Sequence, residues 1–429
     1  MRDDTSEKEP EATKSPASAA GEEIGAQIAQ RFELPLVSVV IVNWNYARFV
    51  GAAIESVKRQ DYRRFECVIV DNCSTDDSVA VINAAISGDD RFRLVSLSEN
   101  YGHLGAALKI LPELKGQFVN FLDADDLLFD NFLSFHVQAH LASNAPAGFT
   151  SSNYVTIDAN DALVTGQYAP IDDVSWRKLP KCLRESRVPA LPSIGEAQYA
   201  VLRGVTRDAP ADIGRWCWSQ GSANVIQREM LNLLAIEVKK PLLGGVDGYF
   251  LIPLFALCGV NLIGAPLSAY RLHGANDHSR LPQIKGIRVG NEAAYSRNTE
   301  AKALSVLTLI ERCETIVAAV IPPMRYFKVL EMVVNNSVDS ISARGSVLET
   351  PEAIAALARA YPRLVKTFGE RKVIRELRAM MKFHDLAAVF WRAHHGRPPL
   401  TSLRRLLIAG LRRRKWRPAD TPPPPTQED

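Results

Sequence analysis

The sequence predicts an α/β domain on a doubly wound, mostly parallel sheet, followed by an α-helical C-terminal region. Three observations carry that expectation. Four short apolar runs rich in β-branched residues occupy 36–42, 65–70, 93–97 and 118–122. Predominantly apolar runs of this length mark strands buried on both faces. A segment of helical apolar periodicity separates each run from the next, and strands alternating with helices give a parallel sheet. Each run also stops at or shortly before a polar residue, namely Asn43, Asp71, Asn100 and Asp123.

The first run is followed by the turn Asn43-Trp44-Asn45-Tyr46 and a helix with Phe49, Val50, Ala53, Ile54 and Val57 on one face. The second ends at Asp71. Ser74-Thr75-Asp76-Asp77 then has the form of a capping box, opening a helix that carries Val79, Ile82 and Ile86. After the third, Asn100-Tyr101-Gly102-His103 leads into a helix through Leu104, Leu108 and Leu111. The fourth ends at Asp123. Ligands of such sheets bind beyond the carboxyl ends of the strands, so the strand-end polar residues gather along one edge.

Past Thr150 the pattern loosens. Residues 158–213 are rich in Pro, Arg and Asp and are expected to form an irregular insertion facing an acceptor. A further strand is expected within 216–226 and a helix over 227–236. Residues 248–270 contain no charged side chain and have the length of a membrane span. Pro253, Gly259, Asn261, Gly264 and Pro266 interrupt them, so a buried helix ending near Gly259 and a strand from about Asn261 are expected instead. Residues 292–340 and 351–390 have helical patterning, the first broken at Pro322-Pro323. The expected layout is a disordered tail over 1–33, the α/β domain over 34–285, the helical region over 290–415 and a second disordered tail over 416–429.

The 429 residues suffice for a large domain and an accessory one. A formal net charge of +3 offers no argument for nucleic acid. The six cysteines show no CxxC spacing, which predicts free thiols in a reducing compartment rather than a zinc or redox centre. Residues 1–30 lack the apolar core of a signal peptide.

Asp123-Ala124-Asp125 holds the sharpest chemistry. Two carboxylates one residue apart, just past a buried strand, can converge on one hard cation, and Mg²⁺ or Mn²⁺ prefers oxygen ligands that it shares with a diphosphate. An acidic loop capping the next helix is the plainer alternative. The ordered set of motifs Val37-Ser38-Val39-Val40-Ile41-Val42-Asn43-Trp44-Asn45, Val68-Ile69-Val70-Asp71-Asn72-Cys73-Ser74-Thr75-Asp76, Asn100-Tyr101-Gly102 and Leu122-Asp123-Ala124-Asp125-Asp126 resembles the family 2 inverting glycosyltransferases. The resemblance spans about 35–280.

The resemblance implies a Rossmann-like GT-A nucleotide-diphospho-sugar transferase domain and a UDP- or dTDP-type sugar donor. It implies that Asp71 accepts from the imide NH of the base and that Trp44 lines or stacks on the base, core packing being its alternative. Val42 through its backbone, Asn43, Asn100, Asp123, Ala124 and Asp125 complete the donor set. Asp125 and Asp123 would ligate Mg²⁺ or Mn²⁺, with His273 as a third ligand. Arg271 and His273 could reach the diphosphate, with His278 a lesser candidate and ordinary surface-loop residues the plain alternative. Asp247, in Gly244-Gly245-Val246-Asp247-Gly248, stands where the family's catalytic base falls, although Val246 replaces a frequent Glu; a helix N-cap is its plain alternative. Trp216 and Trp218 match the acceptor-side segment, with ordinary core aromatics as the alternative.

The implied partners are a nucleotide sugar and a carbohydrate or lipid-linked acceptor, in surface polysaccharide or glycolipid assembly at the cytoplasmic face of the plasma membrane. Residues 400–417 form a basic amphipathic stretch without an acid, which suits an anionic membrane face or packing on its own domain; no nucleic-acid partner is expected. Two other readings stand beside the transferase. A nucleotidyltransferase would want a Gly-rich basic loop after the first strand, where Asn43-Trp44-Asn45-Tyr46 lies. A degenerate transferase fold acting only as a binding protein sits poorly with retention of Asp71, Asp123, Asp125 and Asp247. A dinucleotide-dependent dehydrogenase lacks its GxGxxG.

Overall fold

The computed structural model describes residues 33–142, 147–168, 184–185, 206–209, 218–219, 221–274, 276, 292–320, 322–336 and 346–410. The first unit is β1 (Val37–Asn43), α1 (Ala47–Lys58), β2 (Phe65–Asp71), α2 (Ser78–Ile86), β3 (Phe92–Ser96), α3 (Gly102–Ile110) and β4 (Phe118–Asp123). Its strands lie side by side in the order β3-β2-β1-β4, all parallel. Side-chain alternation sends β1 into two cores. Val37, Val39 and Ile41 pack with Val50, Ile54 and Val57 of α1 and Ile82 of α2. Val40 and Val42 pack with Leu104 and Leu108 of α3.

The chain continues through β5 (Leu127–Leu128), α4 (Phe132–Ala142), β6 (Phe149–Asp158), β7 (Leu163–Tyr168), β8 (Arg184–Glu185), β9 (Thr206–Ala209), β10 (Asn224–Gln227), α5 (Arg228–Leu234), α6 (Val246–Cys258) and β11 (Val260–Leu272). Beyond β4 the order is β10-β6-β11-β9-β8. β10 runs antiparallel to both β4 and β6, whereas β6 and β11 are parallel. The sheet is therefore parallel over its first four strands and mixed beyond them.

Three expectations change here. Within 158–213, the described pieces are strands: β7 folds back on β6, and β9 pairs with β11. Of the strand expected within 216–226, the described part runs from Asn224, after a 3-10 turn at Gly221–Ala223. The capping box over 74–77 does not form. Ser74 is turned toward the β1 loop, and Asp76 instead accepts from the backbone N–H groups of Ser78 and Ala47.

The charge-free stretch resolves as α6 and β11. α6 is buried on every side from Val246 to Leu257, so the lack of charge after Asp247 reflects protein core. Among the described residues no helix is long and apolar enough to cross a membrane.

The helical region comprises α7 (Glu292–Glu311), α8 (Cys313–Ala319), α9 (Arg325–Asn336), α10 (Pro351–Phe368), α11 (Glu370–Met380), α12 (Phe383–Ala393) and α13 (Leu400–Gly410). α10 starts with Pro351 at its first position, and the Thr350 hydroxyl accepts from Ala353 N. One apolar core runs from Val40 and Leu104 through Phe250 of α6 to Leu330, Leu357, Phe390 and Leu406. The helices thus extend the core on the α3 and α6 side of the sheet. The junction near 285–290 and the tails 1–32 and 411–429 lie outside the described residues. Cys67, Cys73, Cys258 and Cys313 are free thiols.

Candidate active site

Parallel register sets the strand ends next to one another. Asn43 is paired with Asp71, Val42 with Asp123, and Asp71 with Ser96. The loops after β1 and β2 are sewn together by side chains. Asn43 Nδ2 donates to Asp71 Oδ1 and to Ser74 Oγ, both at 3.1 Å. Asp71 Oδ2 accepts from Ser74 N at 3.1 Å, and Asn45 Oδ1 from Thr75 N at 2.7 Å. Asn45 and Cys73 hold left-handed φ values of 59° and 66°. Non-glycine residues keep that conformation where neighbours over-determine it, commonly at functional sites.

Within this cradle Asn43 Oδ1 is buried without a hydrogen-bond partner. Each Asp71 oxygen, having accepted one bond, retains a further acceptor position. Trp44 is 50% exposed at the rim, so its ring is not spent on core packing. Asn100 braces the next loop. Its Oδ1 accepts from Asn72 Nδ2 and Gly102 N, both at 2.8 Å, while Asn72 Oδ1 accepts from Tyr101 N at 2.9 Å.

The acidic turn after β4 is held from both sides. Asp123 N donates to Ser222 Oγ at 3.0 Å, and the same hydroxyl donates to Asp126 Oδ2 at 2.7 Å. Asp126 Oδ1 accepts from Arg271 N at 3.0 Å. Gly221 has φ 55°, and a Cβ there would stand 2.9 Å from Asp123 Oδ2. Asp126 is thereby consumed internally, while the Asp123 side chain stays about one-third exposed. Ala124 lies in the apolar core, so only its backbone is available.

His273 Nε2 lies 2.8 Å from Asp125 Oδ2, and its ring packs against Phe49 and Tyr46. Arg271 is turned to a different use from the one expected. It is 2% exposed, gives Nε to Asp125 O at 2.7 Å, and directs Nη1 to Asp158 O and Asp161. Its guanidinium clamps the acidic turn to the β6–β7 hairpin instead of pointing at a diphosphate. His278 and Trp216 lie outside the described residues.

Trp218 corrects another expectation. It is 2% exposed and packs on Phe149 and Phe255 at centroid distances of 5.7 and 4.7 Å. A ring buried there offers no face to a sugar.

Asp247 reaches the site by a backbone zipper. Leu242 N donates to Tyr101 O, Gly105 N to Leu242 O, and Leu104 N to Gly244 O. Gly102, with φ 73°, permits this approach: a Cβ there would stand 2.4 Å from Leu242 O. Asp247 then falls in the first turn of α6, with Oδ1 accepting from Gly248 N at 2.8 Å. Gly245 is the N-cap, so Asp247 is not the cap residue its plain alternative supposed.

The sequence did not single out His103. Its Nε2 lies 3.2 Å from Asp123 Oδ1, and both side chains are about one-third exposed, at 31% and 34%. Burial lowers the affinity of this imidazole for a proton. The Asp123 hydrogen bond and the charges of Asp123, Asp247 and Asp125 outweigh that and raise its pKa. His103 therefore feels the acids of the β4 turn and Asp247 in one field. Its position in the third strand-end loop was the only signal for it.

The acids fit a cation. Burial pushes the Asp125 carboxyl above its ordinary range, with the charge of Asp123 adding to it and the His273 hydrogen bond opposing it. Burial, with the charges of Asp125 and Asp123, pushes Asp126 well above its own. Such crowded, desolvated negative charge is relieved by a divalent ion. Asp125 and Asp123 offer hard oxygens, and His273 an imidazole at the same place. Among the described residues no three such side chains already converge as a ligand set. The remaining donors would come from a bound phosphate and water.

Polar strand ends on a parallel α/β sheet, with an acidic turn and Asp247 both acting on His103, define a candidate site of the group-transfer class. Residues 38–178 match the model of glycosyl transferase family 2. An uncharacterized glycosyltransferase of Nostoc sp. is 29% identical over 244 residues, covering 56% of this chain and 66% of that one. The UDP-Glc:alpha-D-GlcNAc-diphosphoundecaprenol beta-1,3-glucosyltransferase WfaP of Escherichia coli is 29% identical over 150 residues, covering 34% of this chain and 57% of that protein. The chain spans less than two thirds of the length of these curated relatives. Among solved structures, S. aureus TarS 1–349 in complex with UDP aligns at 13% identity and a TM-score of 0.46, covering 87% of this chain and 90% of that chain.

Proposed function

We propose that the chain is a glycosyltransferase that moves a sugar from a nucleoside diphosphate to a hydroxyl acceptor with inversion. The observation that carries this reading is the shared surroundings of His103, where the acids of the β4 turn and Asp247 act on one side chain. A donor held at Asp71, Asn43 and Asp123 would therefore have its transferring end beside Asp247.

In this reading the base of a uridine- or thymidine-type donor lies against Trp44. Its imide NH is accepted by Asp71. Asp123 and Asp125, with His273, are the residues that would hold Mg²⁺ or Mn²⁺. That ion, when bound, would supply positive charge against the diphosphate. Asp247 takes the proton of the acceptor hydroxyl as its oxygen bonds the anomeric carbon. The bond from that carbon to the diphosphate breaks, and its electron pair leaves with the phosphate. WfaP, whose name specifies a lipid diphosphate acceptor, supports an acceptor carried on a lipid diphosphate. A role in cell-surface glycan assembly, at the cytoplasmic face of the membrane, is part of the same proposal.

The test is a thermal-shift screen of nucleoside diphosphates and their sugars, with and without Mn²⁺, followed by transfer assays on Asp247→Asn. Metal-dependent stabilisation by uridine or thymidine diphosphates is expected. The Asp247→Asn variant is expected to keep donor binding and lose transfer by about a thousandfold. Full transfer in that variant would remove Asp247 as the base.

A further inference from the structure

α13 has two opposite faces, and among the described residues only one of them is packed against the protein. Ser402, Leu406 and Ala409 are buried against the helical region. Ser402 Oγ donates to Glu370 Oε2 at 2.8 Å, Arg405 pairs with the same buried carboxylate, and Gly410 lies close against Phe383. These contacts fix the helix in rotation. The outward face then carries Leu400, Arg404, Leu407 and Ile408, spaced i, i+4, i+7 and i+8. The three aliphatic residues are 83%, 63% and 48% exposed.

Along the sequence through this helix, charge has one sign. From Leu386 to Arg417 the sequence contains no Asp or Glu, while Arg392, Arg397, Arg404, Arg405, Arg412, Arg413, Arg414, Lys415 and Arg417 supply positive charge. Trp391, on the neighbouring α12, is 53% exposed. Cations alone would suit nucleic acid equally well. Exposed aliphatics interleaved with arginine on a fixed helix face suit a surface that is anionic at its boundary and apolar just beneath.

We infer that the outer face of α13 is a docking surface for an anionic lipid bilayer, with Leu400, Leu407 and Ile408 entering the headgroup boundary and Arg404 pairing with lipid phosphates. This inference is independent of the transferase reading. The helix packs and docks at once, because the two tasks fall on opposite sides of it.

The test is sedimentation of the full chain with phosphatidylcholine vesicles, with or without phosphatidylglycerol. Binding is expected only with the anionic lipid, and it weakens with added salt. The Arg404→Gln variant is expected to bind about fivefold more weakly, the equivalent of about 1 kcal/mol per surface cation. Leu407→Ser with Ile408→Ser is expected to lose at least about tenfold, the melting temperature remaining that of the parent. Arg405 is left intact because it anchors the helix. Unchanged binding in the double variant overturns the inference. So does binding to neutral vesicles alone, or binding to a DNA duplex without vesicle binding. A dimer that the double variant dissolves would show instead that a second copy covers the face.

Discussion

The two halves of the sheet place functional residues by different means. In the parallel half, β3-β2-β1-β4, in-register pairing sets Asn43 beside Asp71 and Val42 beside Asp123. The strand ends meet there as a consequence of secondary structure. In the mixed half nothing local does this work. Arg271 reaches the acidic turn across 145 residues of sequence, and Ser222 across 96. Asp247 comes to His103 because residues 242–244 are zipped to the start of α3. Strand pairing supplies the edge of the candidate site, and long-range clamps supply the residues around it.

The largest expected effect falls on the edge itself. Asp125→Ala removes the carboxylate that His273 contacts, and with it the hard oxygen proposed to hold the ion. Donor stabilisation by Mn²⁺ is expected to fall by at least about a hundredfold in apparent metal affinity, more than the loss of an outer-shell partner. Isothermal titration with Mn²⁺ and a nucleoside diphosphate reads this. Unaltered metal affinity would move the ion away from this turn.

The seam between the halves offers a test of stability. β10 is the antiparallel strand that joins them, and α4 packs on it. His140 Nε2 lies 3.0 Å from Val225 O, with its ring stacked on Phe118 at 4.3 Å. Burial lowers the His140 pKa from 6.5 to about 4, and His136 is lowered in the same direction by burial and by His140. The fold therefore favours neutral rings. Between pH 6.5 and 4 the unfolded chain binds more protons than the folded one, so stability is complete above that window and declines as pH falls through it. His140 alone accounts for about 3 kcal/mol across the window. Urea midpoints against pH check this, and His140→Gln is expected to flatten the curve. A midpoint unchanged from pH 7 to pH 4 would contradict it.

What was legible in the sequence follows the same division. Short apolar runs located β1 to β4 and helical periodicity located α1 to α3, because each is a local solution to burial. It also located the α6–β11 hairpin, since Gly259 and Pro253 punctuate an otherwise uniform apolar run. The strand-end acids were visible for the same reason. The Arg271 clamp, the Ser222 hydroxyl and the burial of Trp218 were hidden, because each depends on which distant strand becomes a neighbour. The missing capping box teaches the same point. Ser74 had a local partner available, but Asn43, Asn45 and Asp71 from two loops claim it instead.

A smaller effect is expected at His103, where the two halves meet. If its Nε2 holds Asp123 in place, His103→Leu loses a hydrogen bond to a charged group. That is worth about 1.5 kcal/mol or more, or roughly tenfold in donor KM. His103→Gln, whose amide can donate at a similar reach, is expected to recover most of that loss while kcat changes less. Equal damage in the Leu and Gln variants would mean that the ring itself, and not the bond, is what matters.

The smallest effect separates a ligand-facing residue from a structural one. Trp44 stands on the parallel edge but is half exposed, so Trp44→Ala is expected to change the unfolding free energy by no more than about 0.5 kcal/mol. A ring that stacks on a base contributes about 1 kcal/mol or more to its binding, so donor affinity is expected to fall several-fold, with Trp44→Phe between the two. Paired measurements on one preparation, a urea titration and a nucleotide titration, decide it. A drop in stability without a drop in affinity would return Trp44 to the core. Loss of affinity at constant stability would assign its face to the donor, leaving Trp218, buried on Phe149 and Phe255, as the structural tryptophan of the pair.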